Sequence, residues 1–229
     1  INNDITFHNL FNIISKPSNI LNKITIVEGW SKKEIEKELS KFFDNIHEIP
    51  YDDILADTYY FEKNNNFEFF FNKLKKFKFN YLQKFNENSL NKNFSHKDIM
   101  VIGSLIEKEG LDDYDKKLIS SVIFNRLNIN MKLQIDASVI FAITNGQYDL
   151  RRNLNYNDLK FKHPFNTYLN YGLPPEPISY VGTKTIDIIY ENYKSDFLFY
   201  YFDNSLKKHI FSKNYKNHKR KLNEYRNQK

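Results

Sequence analysis

Hydrophobic and polar positions change period several times along the chain, and each change marks an element. Ile24 and Ile26 alternate with polar neighbours, the two-residue period of a short strand. A turn follows at Glu28-Gly29, and then Ser31 and Glu34 form an S-x-x-E capping box. Behind that cap Ile35, Leu39, Phe42 and Phe43 recur at helical spacing. Upstream, "ITFHNLFNIISKP" reads as a helix stopped by Pro17. Downstream, "FEFFFNKLKKFKFNYLQKF" is an amphipathic helix whose phenylalanine stripe reads as packed core. The polar run "NENSLNKNFSHKD" then separates two parts of the chain.

From residue 95 the signals sharpen. Ser95 and Asp98 resemble a second capping box, and a helix runs through "DIMVIGSLIEKE" to a glycine stop at Gly110. "DDYDKKLISSVIFNRL" carries acids in its first turn and Leu118, Ile119, Val122, Ile123 and Leu127 on one face. "DASVIFAI" and "TIDIIYENY" read as further short helices, divided by the loops of "HPFNTYLNYGLPPEPISYVG". "DFLFYYFD" and "KKHIFSK" read as two strands. The expected class is α+β, with residues 1–48 a small module, 49–94 a helical connection and 95–229 a mostly helical domain with one small hairpin.

Two glutamates end the helix after Ser95, and helical geometry separates them. At about 100° per residue, counted from Met100, Glu109 falls near 180°, in the middle of the apolar stripe of Val101, Ile102, Leu105 and Ile106. Glu107 falls near 340°, the address of a surface residue. Burial disfavours a carboxylate and raises its pKa, and a carboxyl still protonated near neutral pH suits general acid catalysis. The pattern alone leaves open the plainer alternative that the helix frays and Glu109 reaches water.

Composition narrows the chemistry. The 229 residues are 41% hydrophobic and 27% charged, enough to bury a core. There is no cysteine, so neither disulfides nor cysteine metal sites arise, and the six histidines lack metal-ligand spacing. No metal or other cofactor is expected. The net charge of +6 allows an acidic partner, yet no nucleic-acid-binding motif accompanies it. Much of the excess lies in the tail "KNYKNHKRKLNEYRNQK", read as a solvated helix face. No run of about 18 apolar residues is long enough to span a bilayer.

The segments Glu107-Lys108-Glu109, Asn125-Arg126-Leu127, Met131 to Asp136, Asn166-Thr167-Tyr168 and Gly172 to Ile178 stand in fixed order. In that order they resemble the YceG-like endolytic murein transglycosylases, the MltG family. "ITIVEGWSKKEI" and "ADTYYF" are similar to the family's upstream segments, so the likeness spans residues 5 to 218 or so. The resemblance implies a lysozyme-like catalytic domain preceded by a partial LysM-like module. It implies an enzyme that cuts within nascent glycan strands between N-acetylmuramic acid and N-acetylglucosamine, leaving 1,6-anhydro ends. It also implies an inner-membrane, single-pass anchor outside this chain, a periplasmic or wall-side catalytic domain, and peptidoglycan synthases as neighbours. On the family's pattern Glu109 is the acid, with Glu107 the fallback. Gln134, Asn166 and Tyr168 suit a sugar cleft because amides and phenols hydrogen-bond hydroxyl and acetamido groups, with a loop-bracing hydrogen bond the alternative for each, and Asp136, Pro174 and Pro175 are expected in the same cleft. Asp136 is expected to order its loop or cap the next helix, Tyr171 or Tyr180 to stack on a sugar, and Arg126 to pair with a carboxylate. Two other readings stay open: a non-catalytic peptidoglycan-binding scaffold, and a hydrolase that leaves reducing ends.

The sequence departs from the family's pattern at four places. Ala137 and Ala56 stand where proline is usual, "YDDIL" lacks the usual glutamate-glycine start, and Gly110 replaces a frequent threonine. The first three are expected to lie away from the acid, and Gly110 beside it.

Overall fold

The computed structural model describes residues 7, 11 and 21–227. The helix expected to end at Pro17 falls outside these, apart from residues 7 and 11, which are helical. The elements are β1 (Leu21–Thr25), α1 (Lys32–Leu39), β2 (Thr58–Glu62), α2 (Phe67–Gln83), α3 (His96–Glu109), α4 (Asp113–Asn128), α5 (Asp136–Thr144), α6 (Thr183–Glu191), β3 (Phe199–Asp203), β4 (Lys208–Ser212) and α7 (Tyr215–Asn227). Helices and two small antiparallel sheets together make an α+β fold.

The first core forms around β1 and β2, which pair antiparallel with Ile24 opposite Tyr59. Strand β2 was not foreseen, and its pairing crosses the expected boundary at residue 48. The capping box of α1 is present: the Ser31 hydroxyl accepts from the Glu34 N–H, and Glu34 accepts from the Ser31 N–H at 2.7 Å. Helix α1 stops at Leu39, so Phe42 and Phe43 lie past its end. Phe43 still stacks on Phe61 and Phe70, at 5.2 and 5.4 Å between ring centres. Along α2 the stripe of Phe67, Phe70, Phe71 and Leu74 is buried, the core role its spacing predicts.

The second core is built on α3, which packs against α4, α5 and α6. Every residue from Ile99 to Ile106 is buried, so α3 has no solvent face along that stretch. A central helix is apolar all round, and a one-stripe reading therefore underestimates what it buries. Gly103 allows close approach, since a Cβ there would lie 2.6 Å from Val181. Gly110 ends α3 in an extended conformation, φ −75°, not the left-handed one a glycine stop usually adopts. The reason for glycine is space: a Cβ would meet Lys116 Cγ at 2.4 Å.

The segment after the double proline joins the two cores. Tyr180 exchanges backbone hydrogen bonds with Gly29 and Trp30, and the Ala56 N–H donates to the Val181 carbonyl at 2.7 Å. On its other side the Ile178 N–H donates to Ser104 Oγ at 3.0 Å. Strands β3 and β4 pair as the expected hairpin, with Phe202 opposite His209. Helix α7 is largely exposed, as its charge run predicts, but docks on the hairpin through Tyr225 and through Lys221, which donates to the Phe211 carbonyl. Among the described residues no helix is long and apolar enough to cross a membrane.

Candidate active site

The two glutamates at the end of α3 have different partners, and neither has the surroundings of an ordinary surface residue. The Glu107 side chain is only 2% exposed, which corrects its predicted surface address. It pairs with Lys116 at 2.5 Å and accepts the Gly182 N–H at 3.0 Å. Lys116 also donates to Thr185 at 2.9 Å. Glu107 therefore fastens α3 to α4 and to the start of α6, with its oxygens committed.

Glu109 is partly buried, and among the described residues no cation is in hydrogen-bond contact with it. Its carboxyl is pushed up to about 7, first by burial and then by the nearby Asp136 charge. Three groups oppose the rise: the Ala137 N–H, His209 and the Tyr200 hydroxyl, which lies 3.4 Å from Oε2. Burial and the Glu109 charge hold the Tyr200 phenol well above its ordinary range, so it stays a hydrogen-bond donor. A carboxyl poised near 7 can give a proton and take one back at neutral pH.

The loop before α5 brings the Asp136 charge near Glu109. Gln134 is exposed and adopts the left-handed conformation, φ +49°, uncommon for a residue with a side chain. Thr167 holds that turn: its carbonyl accepts the Gln134 N–H at 3.1 Å and its hydroxyl the Ile135 N–H at 2.9 Å. Asp136 is exposed and accepts the Tyr168 hydroxyl at 2.5 Å. It opens α5 without a capping hydrogen bond, so of its two expected roles only the loop contact is present. Burial and the Asp136 charge raise the Tyr168 phenol.

Other expected cleft residues point elsewhere. Asn166 is fully buried, and its amide donates to the Leu159 and Phe161 carbonyls while accepting the Tyr168 N–H. It braces its own loop. Pro174 is buried and Pro175 exposed, so only the latter meets solvent. Tyr180 is completely buried, donating to the Ile49 carbonyl at 2.7 Å, while Tyr171 is exposed with Lys132 5.0 Å from its ring centre. Among the described residues Arg126 pairs with no carboxylate. It donates to the carbonyls of Leu198 at 2.6 Å and Leu133 at 2.5 Å, tying the hairpin to the loop before α5.

Sequence reading alone missed Tyr200, His209, Asp115, Thr167 and the part played by Ala137. His209 and Asp115 form a buried pair at 2.9 Å, with the imidazole 5.3 Å from the Tyr200 ring centre. Ala137 was placed away from the acid, yet its backbone N–H lies close enough to lower the Glu109 pKa. Asp115 was visible only as one of several acids in a helix first turn, where its dipole role hides any other. Among the described residues no cluster of histidine and carboxylates fits a metal ion.

Comparison with known proteins gives this arrangement a family. The chain is 33% identical over 144 residues to an endolytic murein transglycosylase of Streptococcus pneumoniae, across 61% of this chain and 25% of that protein. It is 36% identical over 135 residues to an endolytic murein transglycosylase of Bacillus subtilis, across 59% of this chain and 36% of that one. The chain thus spans between a quarter and two fifths of these relatives. A crystal structure of a putative YceG-like protein from Listeria monocytogenes superposes with a TM-score of 0.71 at 24% identity, over 86% of this chain and 75% of that one, a likeness of fold. The model of the YceG-like family matches residues 1–224, nearly the whole length, and the chain belongs to that family.

Proposed function

We propose that this chain is the catalytic part of an endolytic peptidoglycan lytic transglycosylase in which Glu109 serves as acid and then as base. The observation that carries the reading is Glu109 at the end of α3 with the Tyr200 hydroxyl 3.4 Å from its Oε2, its carboxyl pushed up to about 7 first by burial and then by the Asp136 charge. Protonated Glu109 gives its proton to the oxygen joining N-acetylmuramic acid to N-acetylglucosamine, and the C1–O bond breaks. The muramyl C6 hydroxyl then closes on C1 and returns its proton to Glu109. The products are a 1,6-anhydro end and a free N-acetylglucosamine hydroxyl, with no water consumed. A single carboxyl suffices because the substrate supplies the nucleophile.

Around that acid, Gln134, Asp136, Tyr168 and Pro175 form the sugar-facing wall, with Tyr171 available for stacking. Asn166, Thr167 and Arg126 shape that wall from behind. The β1–α1–β2 unit is read as a LysM-like, glycan-binding module, and the helical second unit as lysozyme-like. The same reading puts the protein at the inner membrane, held by a segment outside this chain, with the site facing the wall and peptidoglycan synthases nearby.

The test is mass spectrometry of glycans released from purified peptidoglycan by the parent chain, Glu109→Gln and Glu107→Gln. Anhydro-muramyl ends are expected from the parent and lost with Glu109→Gln. Reducing ends would make the enzyme a hydrolase, and binding without release would leave a scaffold.

A further inference from the structure

A groove of about 930 Å³ runs beside the candidate acid, between α1 of the first unit and α5 with its following loop in the second. Its floor is apolar, from Ala137, Ile140 and Phe141 of α5. Its rim is basic. Lys33 and Lys37 stand on exposed positions of α1, Lys108 next to Glu109, and Arg151 on the loop after α5. Arg152 also lines it, but a bidentate pair with Asp158 neutralises that charge.

The remaining cations have no such compensation. Lys108 donates only to the Gly29 carbonyl, and Lys33, Lys37 and Arg151 form no ion pair among the described residues. Two carboxylates line the same groove, Asp149 and Glu34, and Glu34 is committed to the α1 capping box. Four unpaired cations therefore face two carboxylates, so the groove favours an anionic occupant. Its volume exceeds a single ion and suits an extended chain lying on an apolar floor between basic walls.

We propose that this groove receives the carboxylate-bearing peptide of the peptidoglycan strand, so that the enzyme grips its substrate by peptide as well as by sugar. The proposal rests on the reading of Glu109 as the acid. In that reaction the sugar whose C1 meets Glu109 is the muramyl residue, which is also the sugar that carries the peptide. The peptide must then leave the strand within one sugar's width of Glu109. The groove begins there: Ala137, whose backbone N–H lies close enough to Glu109 to lower its pKa, is also part of the groove floor, and Lys108, next to Glu109 in the chain, lines the rim. Peptides of this polymer expose free carboxylates, the group that Lys33, Lys37, Lys108 and Arg151 would meet.

The deciding experiment measures binding of soluble glycan strands, with peptides intact or removed by an amidase, to the Glu109→Gln chain, which cannot cleave. Peptide-bearing strands are expected to bind about tenfold more tightly at low salt, the sum of a few exposed ion pairs. That preference should shrink as ionic strength rises. Combining Lys33→Gln, Lys37→Gln and Arg151→Gln in the same background should bring the ratio of the two affinities close to one. Equal binding of both strands overturns the proposal. So does a preference that the triple substitution leaves intact, or a tighter, substitution-sensitive grip on duplex DNA than on peptide-bearing strands. The acid is read separately, from anhydro ends released by the otherwise unaltered chain. Intact preference without anhydro ends would sink the transglycosylase reading and keep the groove, whereas anhydro ends without preference would do the reverse.

Discussion

Glu107 and Lys116 form an ion pair across the turn from α3 to α4, with Glu107 almost wholly shielded from water and Lys116 18% exposed. Removing one partner of such a pair leaves a charge uncompensated, which costs far more than the pair itself contributes. Glu107→Gln keeps an oxygen for the Gly182 N–H but strands Lys116. We expect a loss of about 3 kcal/mol, the low end for buried pairs because Lys116 keeps Thr185 and some solvent. Adding Lys116→Met should recover much of that loss. Thermal unfolding of the two single variants and the double variant checks this. If Glu107 were the acid instead, Glu107→Gln would abolish anhydro products while the fold stayed intact.

The pH profile reports the surroundings of Glu109. Its carboxyl near 7 means that the acid form persists to neutral pH, so activity should fall as pH rises through about 7. Asp136 raises that value by its charge, and Asp136→Asn should move the alkaline limb to lower pH. The Ala137 N–H, His209 and Tyr200 lower it, so Tyr200→Phe and His209→Gln should move the limb upward. Initial rates of anhydro-end formation between pH 5 and 9 would show it. A limb that stays fixed through all three substitutions would mean that another group titrates.

Ala137 offers a sharper version of that experiment. Proline is usual in the family at this place, and proline has no N–H to give. Ala137 is the second residue of α5, in the first turn, where proline is tolerated and where an N–H has no intrahelical acceptor. Ala137→Pro should leave the fold standing and lift the alkaline limb by about one pH unit, the equivalent of one hydrogen bond to a carboxylate. The measurement is the pH–rate profile beside a melting curve. An unmoved limb would show that the N–H does not act on Glu109.

How far the chain announced all this depends on the kind of signal. Capping boxes at Ser31 and Ser95, and the phenylalanine stripe of α2, are local and were legible. The burial of the Glu109 carboxyl was legible because a helical period places it on the apolar stripe. Glu107 was not, because a helical projection assumes one solvent face and α3 has none between Ile99 and Ile106. Tyr200 and His209 were hidden in aromatic-rich strands without polar alternation, so the sequence gives no inward face to choose. Strand β2 hides for the same reason inside "TYYFE". Of the two alanines that replace family prolines, Ala56 uses the N–H that proline lacks to reach the Val181 carbonyl, and the Ala137 N–H lies close enough to Glu109 to lower its pKa. That use depends on segments distant in sequence, which no local pattern reveals.

Stability should also depend on pH through Glu109, and the sign follows from the proton balance. The folded value near 7 exceeds the ordinary 4.5, so between those values the folded chain binds more protons than the unfolded one. Stability must then fall as pH rises from about 4.5 to about 7, and level off above. The displacement corresponds to about 3 kcal/mol as an upper figure, since partial exposure of Glu109 lets water screen it. Glu109→Gln carries no such charge. It should therefore melt higher than the parent at pH 8 and alongside it at pH 4. Equal melting temperatures at both values would mean that Glu109 is solvated and titrates like any surface carboxyl. That result would remove the physical basis for its choice as the acid, whereas a gain confined to the higher pH would supply it without any substrate present.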